Sequence, residues 1–301
     1  MELSIGSKDF LDSFQHIWEK NIDDYGTSKV NLFVLNINAN NFDYSSLTRN
    51  LLDPLIDYSV SRKIKERFKG KPHTLTRTAQ DKFKEYINNT GELGEFLLYC
   101  FLESHLEAPK ILSKLELKTS TSMYVHGADG VHFLKLDNGN YQLIFGESKT
   151  IKGMTDALSA AFTSIYEFKN EINKDGKEKS GINYEKTLLH SNLDKEAFSD
   201  EERSFLENLI YPKKDRDFYV DDAFGIFIGY EIEINTEDMK LPNDQFRQKI
   251  ISTISDDVSR RLGYIAKKIE EYKLFGHNFY IYVMPFSELD DNRRKILEEI
   301  I

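Results

Sequence analysis

Three charged side chains in the middle of the chain have the types and spacing that phosphodiester hydrolysis asks for. Asp129 lies in Gly127-Ala128-Asp129-Gly130, and Glu147 and Lys149 lie in Gly146-Glu147-Ser148-Lys149. In an extended strand, residues two apart share a face, so Glu147 and Lys149 point the same way across about 6.5–7 Å of backbone. Asp129 opens the preceding strand and reaches the same patch when the two strands pair as a hairpin. Two carboxylates suit Mg²⁺ or Mn²⁺, hard cations that take oxygen ligands and keep several waters. Such an ion polarises a phosphoryl oxygen and acidifies a water. A neighbouring lysine orients that water, or deprotonates it when burial lowers its own pKa. The backbone carbonyl of Ser148 offers one more oxygen.

Glu95 is expected to complete the set. Residues 91–106, GELGEFLLYCFLESHL, read as a helix that is apolar almost all round between Phe96 and Leu102, and Glu92 and Glu95 share one of its faces. A carboxylate at the edge of a buried helix needs a cation or a donor, because burying it unpaired is costly. Each member also has a plainer reading. Glu92 and Glu95 suit an exposed first turn facing the helix dipole, Asp129 suits a turn, and Glu147 with Lys149 suits an ion pair at a sheet edge. Singly the plainer readings win; together, at this spacing and after a buried helix, they do not. His126 and His132 differ from Asp129 by odd numbers, face the other way along a regular strand, and read as hydrogen-bonding positions.

The elements that must position these residues follow from periodicity. A short helical pattern (Phe10, Phe14, Ile17, Trp18) precedes a strand over Val30–Ile37. Ser45 is expected to cap a helix through Leu47, Leu51, Leu55 and Ile56, bent or started at Pro54. Strands are expected at Lys114–Thr119, Gly130–Leu136 and Tyr141–Glu147, the last two joined by a hairpin with Asn138-Gly139 at its tip. An Ala-rich helix from about Thr155 to Phe168 comes next, then a polar loop over 173–186. Ser199 with Glu202 makes a capping box. Ala223–Ile232 and Asn278–Pro285 read as buried strands, separated by one long helix from Asn243 or Asp244 that stops near Gly276. Ser287 starts a terminal helix. The fold class is α/β, with a mixed central sheet flanked by helices. Residues 1–85 form a strand and helix extension packed on a core over 86–301, with no linker chemistry between them.

Composition narrows the function. The single cysteine, Cys100, excludes a disulfide framework and a thiolate zinc site. No apolar run approaches the roughly 20 residues of a membrane span, and the opening MELSIGSKDF is not a secretory signal, so a cytoplasmic protein is expected. No G-x-x-x-x-G-K-[ST] loop, G-x-S-x-G elbow or H-E-x-x-H motif occurs. The net charge of −10 argues against a strong polyanion binder, yet residues 62–84 hold nine basic side chains against Glu66 and Asp81. Screening confines each charge to about 8–10 Å, so Arg62, Lys63, Lys65, Arg67, Lys69 and Lys71 are candidates for contacts to nucleic acid; the bland alternative is a solvated helix face.

From Gly91 to about Tyr166 the chain resembles the HamA family, the nuclease subunit of the Hachiman anti-phage defence system. GELGEFLLYCFL, SKLELKTS, VHGADGVHF, LIFGESK and ALSAAFTSIYEF carry the resemblance. Their order is also that of the wider restriction-endonuclease-like PD-(D/E)xK superfamily, with its αβββαβ core. The resemblance implies a metal-dependent DNA nuclease. Asp129 and Glu147 would be the Mg²⁺ or Mn²⁺ ligands, Lys149 the catalytic lysine, and Glu95 (or Glu92) the helix carboxylate. Ala128 stands where the superfamily often has proline. The resemblance further implies a superfamily 2 helicase, HamB, as partner, DNA as substrate, and neither a membrane nor a small-molecule cofactor. A module on the same fold that senses DNA or regulates the helicase without cutting is the alternative.

Overall fold

Near-continuous runs of apolar and β-branched residues are what strands covered on both faces require, and they form the centre of this molecule. The computed structural model describes residues 2–6, 8–84, 91–113, 115, 127–197, 199–214 and 217–301. A 3-10 turn (Asp9–Ser13) leads into β1 (Phe14–Asn21), β2 (Lys29–Leu35) and a small ribbon of β3 (Ile37–Asn38) and β4 (Asn41–Phe42). Five helices follow: α1 (Tyr44–Asn50), α2 (Leu52–Ser59), α3 (Arg62–Arg67), α4 (Pro72–Lys84) and α5 (Glu92–Ser104). Strands β5 (Lys110–Ser113), β6 (Gly130–Lys135) and β7 (Tyr141–Thr150) come next, then helices α6 (Met154–Asn170), α7 (Ile182–Asn192) and α8 (Asp200–Ile210). Strand β8 (Val220–Glu231), helices α9 (Thr236–Met239), α10 (Asn243–Ser259) and α11 (Leu262–Glu271), strand β9 (Phe279–Phe286) and helix α12 (Leu289–Glu299) complete the chain.

One seven-stranded sheet has the order β1-β2-β9-β8-β7-β6-β5. Its middle, β2-β9-β8-β7, is parallel, and β1 at one side and β6-β5 at the other run antiparallel to their neighbours. Every residue of β9 is buried. The succession α5, β5, β6, β7, α6, β8 is the expected αβββαβ order. Strand β2 pairs with β9, with Lys29 opposite Tyr280 and Leu32 opposite Val283, so the N-terminal residues belong to the same sheet as the C-terminal ones.

Helices cover both faces. The Phe101 ring of α5 stacks 6.1 Å from Phe227, and Phe168 of α6 packs 5.4 Å from Phe145 on the opposite face. Strand alternation then directs Gly146, Ser148 and Thr150 toward α5, and Phe145, Glu147 and Lys149 toward the α6 side.

Several elements differ from expectation for identifiable reasons. The helical spacing at Phe10–Trp18 is a 3-10 turn followed by edge strand β1; a bulge between His16 and Trp18 breaks the alternation, and pairing with β2 prevails over local pattern. The helix expected from Ser45 is two helices, broken at Leu51. Its cap is Asp43, which accepts from the Ser46 N–H at 3.0 Å, and Pro54 sits in the first turn of α2, where its missing N–H costs nothing. A strand runs over Lys110–Ser113; of the strand expected at Lys114–Thr119, Lys114 and residues 116–119 lie outside the described residues. Helix α7 begins at Ile182, inside the expected loop. The long helix from Asn243 ends at Ser259 and restarts at Leu262; the Arg261 guanidinium takes the Asp257 carbonyl at 3.0 Å and closes the turn. Other signals held. Ser199 accepts from the Glu202 N–H at 3.1 Å, and Gly139 at the hairpin tip has φ +85°, a conformation that glycine adopts without strain. Among the described residues no helix is long and apolar enough to cross a membrane.

Candidate functional site

Strands β6 and β7 part company at the site. Strand β7 continues to Thr150 because it stays paired with β8, Lys149 facing Ile228 and Thr150 facing Gly229, whereas β6 begins only at Gly130. The last residues of β7 therefore turn an edge toward Asp129. The Asp129 N–H donates to the Gly146 carbonyl at 2.8 Å. The Asp129 carboxylate takes the place of a strand: Oδ2 accepts from the Ser148 N–H at 2.7 Å and from the Ser148 hydroxyl at 2.9 Å. Charge-assisted bonds of this kind are about twice as strong as neutral ones. Asp129 is buried. Val131 pairs with Phe145, and continuing that register sets Asp129 across from Glu147.

Glu147 and Lys149 share a face, as their spacing predicts, and form an ion pair between Lys149 Nζ and Glu147 Oε1 with both side chains partly buried. Ser148 between them is directed to the other face, against α5. A β-carbon on Gly94 would lie 3.3 Å from Ser148 Oγ and 2.7 Å from Thr150 Oγ1, so only glycine lets the helix approach this closely.

Glu92 is 0% exposed and Glu95 7%, which rules out the exposed first turn for both. Burial, and then the charges of Glu92, Glu95 and Asp129, push the hydroxyl pKa of Tyr58 in α2 well up. Tyr58 packs 5.0 Å from Phe96 and 6.1 Å from Phe83, so α2, α4 and α5 share one aromatic cluster behind the site.

The structure thus joins Asp129 to Ser148 and Glu147 to Lys149, and buries Glu92 and Glu95 on the helix beside them. Among the described residues, no three His, Cys, Asp or Glu side chains stand close enough together to hold a metal ion. The donors available are all hard oxygens, and Mg²⁺ is commonly bound by only one or two carboxylates, with water and substrate phosphate filling its octahedron. Asp129 and Glu147, with the Ser148 carbonyl, fit that pattern and would not suit zinc.

His132 is buried away from these groups. Its Nδ1–H donates to the Ala108 carbonyl at 2.9 Å, and burial pushes its pKa down to about 4. His126 lies outside the described residues. Two partners escaped the sequence. Glu185 of α7 is 1% exposed, and its carboxylate abuts Gly127 so closely that a β-carbon there would fall 2.0 Å from Oε2; it sits in a segment that reads as polar loop, with no signal to single it out. Gly94 could have been noticed as a glycine inside an otherwise apolar helix.

The basic segment divides in two. Arg62 pairs with Glu202 at 3.4 Å and donates to the Glu2 carbonyl, while Lys65 pairs with Asp57 and donates to the Ser4 carbonyl at 3.3 Å. These two face the protein. Lys63, Arg67, Lys69 and Lys71 are exposed, with Lys69 3.3 Å from Glu66.

A mixed seven-stranded sheet between helices, with an aspartate and a Glu-x-Lys at the parting ends of two strands, is an α/β nuclease-like fold. The family model for HamA matches residues 8–300, and the chain belongs to the HamA family of the Hachiman system, with a role in anti-phage defence. No curated protein matches the chain.

Proposed function

We propose that this chain is a metal-dependent nuclease that hydrolyses DNA phosphodiester bonds, largely without sequence preference, under the control of the helicase HamB. The observation that carries the reading is the pair Glu147 and Lys149 on one face of β7, beside an Asp129 carboxylate held on Ser148. Mg²⁺ or Mn²⁺ would be held by Asp129, Glu147 and the Ser148 carbonyl, and it supplies Lewis-acid polarisation of a phosphoryl oxygen and acidification of the attacking water. Lys149, which is ion-paired with Glu147, would present its ammonium to the developing phosphate charge or to the attacking water. Glu95 adds negative potential behind the site that favours a cation there. A net charge of −10 leaves little capacity to neutralise phosphates, which fits a nuclease that receives DNA from a partner motor.

A second reading has its own support: no three acidic, His or Cys side chains converge among the described residues, as in a module that senses DNA without cutting it. Incubating the protein with plasmid and Mg²⁺, with and without the helicase, separates the two. Cleavage lost in Glu147→Ala and Lys149→Ala supports the nuclease; variants that cut as well as the parent remove the site assignment. Retention of DNA unchanged by chelator, with no cutting, supports the sensing module. RNA offered beside DNA tests the substrate class.

A further inference from the structure

The middle residue of Glu147-Ser148-Lys149 does more than space its neighbours. Ser148 places two donors on one oxygen of Asp129, its own N–H at 2.7 Å and its hydroxyl at 2.9 Å. The backbone bond is fixed by the strand, since Ser148 pairs with Phe227 of β8. The hydroxyl is fixed from behind: Ser148 is 7% exposed, and helix α5 closes on it at Gly94, where a β-carbon would lie 3.3 Å from Oγ and 3.4 Å from Cβ. A serine on an open edge samples three rotamers; here the hydroxyl is engaged by Asp129 on a buried residue.

We infer that Ser148 is a positioning residue that orients the Asp129 carboxylate toward a divalent cation. This rests on the proposed metal-dependent reading and adds a role for a side chain that the Glu-x-Lys pattern leaves open. The physical basis is general. A carboxylate rotating about its terminal torsion presents its oxygens over a broad range of directions. Two donors on Oδ2 remove that freedom before the cation arrives, so less orientational entropy is lost on binding. Outer partners of this sort typically contribute about 10–100-fold in metal affinity.

The test is Mn²⁺ binding to the full-length protein by titration calorimetry and by the Mn²⁺ electron paramagnetic resonance signal, readouts that need no turnover. Ser148→Ala is expected to weaken Mn²⁺ binding about tenfold. Ser148→Cys keeps nearly the same shape but has only a weak donor, so it is expected to lose nearly as much; a Cys variant that binds like the parent would assign the effect to packing and overturn the inference. In an Asp129→Ala background, Ser148→Ala is expected to cost nothing further, because its effect passes through Asp129. Equal losses in both backgrounds would overturn it. If the parent binds no Mn²⁺ at all, the metal-dependent reading falls and this inference with it. If the parent binds and Ser148→Ala binds equally well, only the positioning role falls.

Discussion

Gly94 of α5 stands so close to Thr150 of β7 that a β-carbon on the glycine would lie 2.7 Å from the threonine hydroxyl. The helix that carries Glu92 and Glu95 is therefore seated directly on the strand end that carries Glu147 and Lys149. The contact sets the height of the helix over the sheet. It also explains a glycine in the first turn of the helix, where alanine has the higher helix propensity, by up to about 1 kcal/mol.

Gly94→Ala is expected to destabilise despite that propensity. Overpacking of a close contact typically costs about 1–3 kcal/mol, which outweighs the helical gain. Urea denaturation checks the sign, and combining the change with Thr150→Ala should recover part of the loss, because the nearest obstructing atom is then gone. Full additivity of the two single losses would show that the contact is not the cause.

Replacing Lys149 is expected to separate substrate binding from turnover. Lys149→Met keeps the aliphatic stem and removes the charge that neutralises Glu147. DNA cleavage with Mg²⁺ and the helicase should fall at least a hundredfold, in the range of a lost acid–base group, while DNA retention in the presence of chelator changes little. An equal fall in both would place Lys149 in general phosphate binding.

The basic segment is expected to respond in two different ways. Replacing Lys63, Arg67, Lys69 and Lys71 together by alanine removes exposed charges, and the slope of log K against log salt should flatten by about 0.9 for each lost phosphate contact. Replacing Arg62 and Lys65 should instead lower thermal stability, because each holds an internal carboxylate and an N-terminal carbonyl. A salt slope that does not move in the first variant assigns those four residues to solvation alone.

Acid should weaken the fold through His132. Its folded pKa is pushed down to about 4 from 6.5 by burial, so between those values the unfolded chain binds a proton that the folded protein refuses. Stability is then undiminished by this group above pH 6.5 and is lost progressively as pH falls toward 4, by about 3 kcal/mol in total at 1.36 kcal/mol per pKa unit. His105 moves in the same direction and to about the same value, again chiefly by burial. Comparing urea midpoints at pH 7 and pH 4.5, His132→Gln should show a shallower loss than the parent; equal losses would remove the histidine from the acid response.

The sequence by itself determined the strands of the hairpin, the buried pair β8 and β9, and the shared face of Glu147 and Lys149. Those signals are local: a period of two, a turn at Asn138-Gly139, and short apolar runs that suit buried strands. It also carried the family, whose motifs are short and ordered. What the sequence left open was decided by pairing at a distance. Phe10 to Trp18 hold a helix-like spacing, yet Phe14–Asn21 become a strand because β2 offers an unpaired edge and a bulge absorbs the mismatch. Glu92 and Glu95 suit an exposed first turn as well as a buried site, and only the fold, which buries both, decides between them. The bond from Ser148 to Asp129 exists because β7 outruns β6, and that depends on β8, some seventy residues later, holding the strand straight. Backbone hydrogen bonding between segments far apart in the chain has no local signature, so only the folded structure shows which carboxylates meet.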